Sequence, residues 1–176
     1  MSVVFRLYDQ GVANLARQSG WLLPSLARLI FAAVLAGYFW SSAATKFDGG
    51  PFSLSAGAFA QIFPMQFEAV GYQASNLGPL YHLIALAGAW AEAVLPLLLV
   101  LGLFTRLAAL GMIGFVIVQS LTDIFGHMAG AASIGQFFDA MPDAAILDQR
   151  ALWMMLLAVL VLKGAGPLSL DRLLRR

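Results

Sequence analysis

Residues 81–124 hold two apolar runs joined by Gly102-Leu103-Phe104-Thr105-Arg106, and no other stretch restricts the fold as much. The first run, 81–103, carries one carboxylate, Glu92, near its middle. The second, 107–121, carries no charge before Asp123. Crossing the hydrocarbon core of a bilayer takes ~20 apolar residues at ~1.5 Å each, and both runs approach that length. The residues between them can turn the chain and add one cation. The pattern predicts a membrane hairpin with an acid buried in it.

The rest of the chain repeats the pattern. Of its 176 residues 61% are hydrophobic and 11% charged, whereas soluble domains are about half apolar and a quarter charged. The expected fold class is all-α: an integral membrane four-helix bundle over 21–168, with spans at 22–46, 80–103, 107–124 and 146–165. The apolar centre of the fourth span, 151–162, covers only ~18 Å, so it must recruit its flanks to cross. Residues 1–20 interleave Arg6, Asp9 and Arg17 with short apolar runs. They read as an amphipathic helix at the interface or a frayed tail. They do not read as a secretory signal peptide, because no apolar core follows a basic start. Residues 169–176 form a basic tail, with Ser169 placed to cap a last helical turn. Two long connections remain. The one after the first span is broken by Gly49-Gly50-Pro51, Pro64 and Pro79, and has room for a short helix before Pro64. It lies on the membrane surface or folds over the mouth of the bundle.

Orientation follows from the cations. Four crossings put Arg6, Arg17, Arg28, Arg106, Lys163, Arg172, Arg175 and Arg176 on one side and Lys46 and Arg150 on the other, eight against two. By the positive-inside rule both termini and the 102–106 turn are cytoplasmic, and the long loops face outward.

Several function classes drop out. A net charge of +1 offers no basic surface for nucleic acid. The chain has no Cys, which removes thiolate-held metals, thiolate-held iron–sulfur clusters and dithiol relays. No dinucleotide fingerprint is present.

What remains is a set of polar residues in apolar surroundings. Glu92 lies among Ala85, Gly88, Ala89 and Ala93, with Pro96 one turn on. A lone carboxylate at mid-membrane is neutral, paired or turned to a polar cavity. It is either a proton-accepting group or a buried acid that locks the bundle through Tyr38, Ser41 or Ser42. Pro96 frees the carbonyl of Glu92 and marks a bend. Arg106 reads as a turn anchor and topology signal. Gln119, Asp123 and His127 recur at i, i+4 and i+8, on one helical face. With Lys46, His82 and Arg150 they make an outer-leaflet set able to bind a small ligand, and the expected pocket has Glu92 as its floor. His82, Asp123 and His127 are also the candidate metal ligands, although the histidines are far apart in sequence. The stripe Ala33, Gly37, Ser41 and Thr45 would let another helix come close, in a homo-oligomer or with a partner protein.

Three blocks carry a family resemblance. Ala91-Glu92-Ala93-Val94-Leu95-Pro96 leads to Gly102-Leu103-Phe104-Thr105-Arg106-Leu107-Ala108-Ala109; the first span ends in Gly37 and then Thr45-Lys46-Phe47; and the tail reads Gly164-Ala165-Gly166-Pro167-Leu168-Ser169-Leu170-Asp171. In their order along the chain the blocks resemble the DoxX family, over most of the chain from about residue 26. The resemblance implies a small four-helix protein of the bacterial inner membrane. Relatives in that family include a membrane subunit of a thiosulfate–quinone oxidoreductase and a membrane partner of redox-defence enzymes. The expected function is therefore a membrane subunit of a quinone-linked system, with sulfur compounds as a further substrate class. On this reading it is part of an oxidoreductase rather than a complete enzyme. The alternatives are a non-catalytic scaffold and a small transporter module.

Overall fold

The computed structural model describes residues 3–174, and every regular element among them is helical. Arg175 and Arg176, counted in the charge tally above, lie outside the described residues. Four helices are long and apolar enough to cross a membrane: α1 Val3–Ala44, α4 Pro79–Leu101, α5 Thr105–Gly126 and α7 Ala145–Lys163. Short helices fill the connections: α2 Ala56–Ile62, α3 Pro64–Ala69 and α6 Ala131–Ile134, with α8 Leu170–Leu173 in the tail. The chain is thus an all-α bundle of four membrane-length helices.

The N-terminal stretch differs from its sequence reading. Residues 3–20 are helical, as the amphipathic reading expects, but no boundary sets them off from the first span, because one helix runs unbroken from Val3 to Ala44. Neither Gly20 nor Pro24 ends it. Pro24 is buried against the bundle, which offsets its missing N–H donor. Further along, the turns over Phe31–Ala36 widen to π-helical geometry. Such a bulge shifts the side-chain register by one residue, and Phe31, Leu35, Ala36 and Phe39 all end buried. They meet Leu99, Met112, Val116, Leu157 and Leu160 in the main core. The first buried position of α1 is Pro24, so residues 3–20 stand clear of the bundle.

At one end the chain is tightly closed. Gly102 ends α4 in the left-handed region, at φ 66°, and Phe104 repeats that conformation at φ 47°. The new helix therefore begins after three residues. The first N–H groups of α5 would be bare there, and Asp171 from the tail takes them: its carboxylate accepts from Phe104 N at 2.8 Å and Thr105 N at 3.0 Å. Arg28 caps the other strand of the turn. Its guanidinium donates to the carbonyls of Leu99 at 3.0 Å, Val100 at 2.6 Å and Ala165 at 2.9 Å, and also to Leu168. Ser169 caps α8 through Arg172 N at 3.3 Å. Arg106 donates to Leu162 O at 3.2 Å, tying α5 to the end of α7. We call this the turn end.

The opposite, loop end is built over by the first connection. Ser55 caps α2 and also donates to Thr45 O at 2.7 Å, while Gln61 Nε2 donates to Thr45 Oγ1 at 3.0 Å. These bonds fasten α2 across the end of α1. Pro64 does not close the helical region, because α3 starts on it, as proline at a first helical position allows. Phe59, Phe67, Leu77 and Ala85 form a second, smaller core beneath this cap.

Candidate functional site

Between α1, α4 and α5, under α2, lies a cavity of about 460 Å³. Small residues make the space: Gly88 and Ala91 on α4, Gly111 and Gly114 on α5. At Gly111 a Cβ would come within 3.1 Å of Leu95, so the helices already approach closely there. At Gly114 a Cβ would meet nothing within 4 Å. Tyr38, Ile62, Ile84, Phe115 and Val118 supply the larger walls.

The polar groups are arranged as two ion pairs. In the first, Lys46 Nζ stands 2.5 Å from Glu92 Oε2, with side chains 7% and 2% exposed. Lys46 follows the last turn of α1 and folds back along it, where the helix C-terminus favours a cation. Its ammonium also donates to Ser42 Oγ at 2.9 Å and Gln61 Oε1 at 2.8 Å. Glu92 sits near the middle of α4, one turn before Pro96. That bend is engaged too: the Trp40 indole donates to Ala93 O at 3.1 Å.

In the second pair, Arg150 Nη2 lies 2.5 Å from Asp123 Oδ2, and Nη1 donates to Ser120 Oγ at 3.0 Å. Arg150 is buried at the start of the regular part of α7. Beside this pair Gln119 Nε2 donates to Tyr38 OH at 2.9 Å. His127 pairs with Gln61 O at 3.0 Å, which draws α2 down over the mouth. Two buried atoms of lining residues keep no partner among the described residues: the acceptor Gln119 Oε1 and the donor Arg150 Nε.

Of the residues singled out by sequence, Lys46, Glu92, Gln119, Asp123, His127 and Arg150 thus come together around one cavity. His82 does not. It faces the smaller core, where its Nε2 meets Ala74 O at 3.0 Å and its ring packs edge-on against Phe59 at 4.8 Å. His82 precedes Gly88 by six residues, which rotates it about a third of a turn away from the cavity face of α4 that Gly88 and Glu92 mark. With His82 elsewhere, the proposed metal set falls apart. No group of three or more His, Asp or Glu side chains able to hold a metal occurs among the described residues. Trp40, Phe47, Tyr81 and Phe125 do not line the cavity either. The partner of Glu92 is Lys46, not Tyr38, Ser41 or Ser42, although Ser42 reaches it through Lys46. Gln61 was not a candidate by sequence. The only signal for it is its place on the short helix before Pro64, four residues after the small Gly57.

The zone that holds most of these groups is the one that a family model matches. Comparison with curated proteins and with solved structures returned no match. A family model, DoxX, matches residues 24–128. That range takes in the bundle part of α1, the α2–α3 cap, α4 and α5, and with them Lys46, Glu92 and Asp123. With four apolar helices of membrane length and a match over most of its bundle, the chain is a multi-pass membrane protein and belongs to the DoxX family.

Proposed function

We propose that this protein is the membrane subunit of a quinone-linked redox system and that the cavity receives a quinone head. The observation that carries this reading is the Lys46–Glu92 pair in the cavity wall. Two ions held this deep in an apolar bundle cost solvation that their attraction barely returns, and equivalent apolar residues would hold the fold as well. Such a pair has a use where charge or a proton appears during a reaction. Conversion of a quinone to a quinol takes up two electrons and two protons. The unpartnered Arg150 Nε and the second amide protons of Gln61 and Gln119 can donate to ring carbonyls, Lys46 can balance charge on a ring oxygen, and Glu92 can hold a proton. The glycine-lined space between α4 and α5, walled by Ile84, Phe115 and Val118, suits a flat apolar ring.

The chain has no cysteine and so no dithiol or thiolate-held cluster to deliver electrons. A partner protein supplies them, which makes this a subunit rather than a complete enzyme. The small stripe Ala33, Gly37 and Ser41 is exposed, and supports close approach of a helix from a partner or a second copy. The distribution of Lys and Arg supports both termini on the cytoplasmic side, and membership of the DoxX family supports a bacterial cytoplasmic membrane. One observation favours a non-catalytic scaffold instead: residues 3–20 leave apolar side chains such as Val4, Tyr8 and Leu15 bare.

Quinone extraction tests the proposal. Protein purified from quinone-containing membranes should retain quinone, and a folded Lys46→Met/Glu92→Gln variant should not. A wild-type protein that neither retains quinone nor binds a short-chain analogue in titration calorimetry would overturn it.

A further inference from the structure

The turn end carries a second hollow, of about 570 Å³, formed where the first turn of α5, the end of α7 and the tail meet. Three cations line it: Arg106, Lys163 and Arg172. Arg106 spends one bond on Leu162 O, and its Nε lies 3.6 Å from where a Cβ at Gly164 would stand. The side chains of Lys163 and Arg172 have no counter-ion and no hydrogen bond among the described residues. The one acid in the lining, Asp171, is occupied by the N–H groups of Phe104 and Thr105. The buried hydroxyl of Thr105, in the same lining, has no partner either. With three cations against one carboxylate, the hollow is a site of excess positive charge with an unused hydroxyl in its wall.

Its rim is apolar. Phe104 and Leu107 in its lining are 61% and 69% exposed, and Leu162 and Leu168, each next in sequence to a lining residue, are 73% and 82% exposed. Since α5 begins and α7 ends here, the hollow lies where hydrocarbon gives way to headgroups. A free anion would leave these side chains bare. A lipid covers both kinds of surface at once, its phosphate among the cations and its acyl chains along the leucines.

We propose that this hollow binds the phosphate of an anionic phospholipid. Cations at a membrane surface strengthen binding of acidic lipids additively, and removal of two of them should weaken it by at least about tenfold. The inference stands apart from the quinone reading, because it concerns the opposite end of the bundle and different residues.

Native mass spectrometry of the purified protein titrated with phosphatidylglycerol or phosphatidylcholine tests it. The wild type should hold one phosphatidylglycerol in preference to phosphatidylcholine. Lys163→Gln/Arg172→Gln, which breaks no bond within the fold, should lose that preference while keeping its melting temperature. Equal retention of the two lipids by the wild type, or an unchanged preference in the double variant, overturns the proposal. Displacement of the lipid by millimolar inorganic phosphate alone would also overturn it, by marking the hollow as a site for a free anion.

Discussion

Lys46 and Glu92 close a 2.5 Å ion pair between α4 and the turn that follows α1, and neither makes another salt bridge among the described residues. Loss of either partner strands a buried ion, which costs about 3–5 kcal/mol, whereas replacing both by uncharged side chains is often close to neutral. Glu92→Gln and Lys46→Met should each lower the melting temperature markedly. The combined variant should recover most of the loss. A double-mutant cycle by thermal unfolding in detergent measures this, and purely additive losses would count against a coupled pair.

Gly114 gives a cleaner probe of the cavity, because a side chain there points into space already empty. Gly114→Leu should leave the melting temperature unchanged or raise it, and should abolish quinone retention. Retention equal to wild type would place the ligand elsewhere.

The histidines should separate. His82→Ala removes a bond to Ala74 O and a ring contact with Phe59, and should cost on the order of 1 kcal/mol without altering ligand retention. His127→Ala frees the cap from the cavity mouth and should speed ligand exchange, read as a faster off-rate for a short-chain quinone. The reverse pattern would restore His82 to the site.

At the turn end, Gly102 is held in the left-handed region, and a Cβ there would stand 2.7 Å from Ser169 Cβ and 2.8 Å from Arg28 Cζ. Gly102→Ala therefore adds backbone strain of about 1–2 kcal/mol to a steric overlap. Asp171→Ala removes the cap of α5 and should cost about 1–2 kcal/mol. Thermal shifts of both variants check this, and a neutral Gly102→Ala would mean that the tail does not dock as described.

Orientation is open to direct measurement, since no native cysteine interferes. Cysteines at Gln73 and Ser133 should label with an impermeant reagent from outside intact cells, and those at Gln10 and Leu174 should not. Labelling of Ser133 and Leu174 from the same side would remove the fourth crossing.

The four long helices are legible in the sequence because apolar length is a local property, and so are the caps at Ser169 and the turn at Gly102. The cavity is half legible. Gln119, Asp123 and His127 share a face by helical spacing alone, and Glu92 draws notice as an acid in an apolar run. Its partner is not legible, because Lys46 reaches back along α1 and the choice between it and Ser42 depends on how far α1 extends. His82 is misread for a similar reason. Its sequence neighbours say that it lies near the loop end of α4, but only the packing of α2 and Phe59 decides which side of the helix is cavity and which is core. Gln61 is invisible until α2 is placed. The continuity of α1 is hidden by the charges of residues 1–20, which argue for a boundary that helical hydrogen bonding does not require.

That continuity makes the first helix a mast. Its 42 residues measure about 63 Å along the axis, roughly twice the hydrocarbon thickness of a bilayer. Away from Pro24 it cannot bend sharply without breaking its own hydrogen bonds. Its weakest turn is set by Pro24, which leaves the carbonyl of Gly20 without a donor, and there the tail rests on it: a Cβ at Gly166 would lie 3.4 Å from Pro24 Cγ and 2.9 Å from Ser25 Oγ. Val3 therefore stands about 30 Å along the axis from Pro24, with a pivot at the foot of that stretch. Any tilt imposed on it is felt first where α1, the tail and the α4–α5 turn touch.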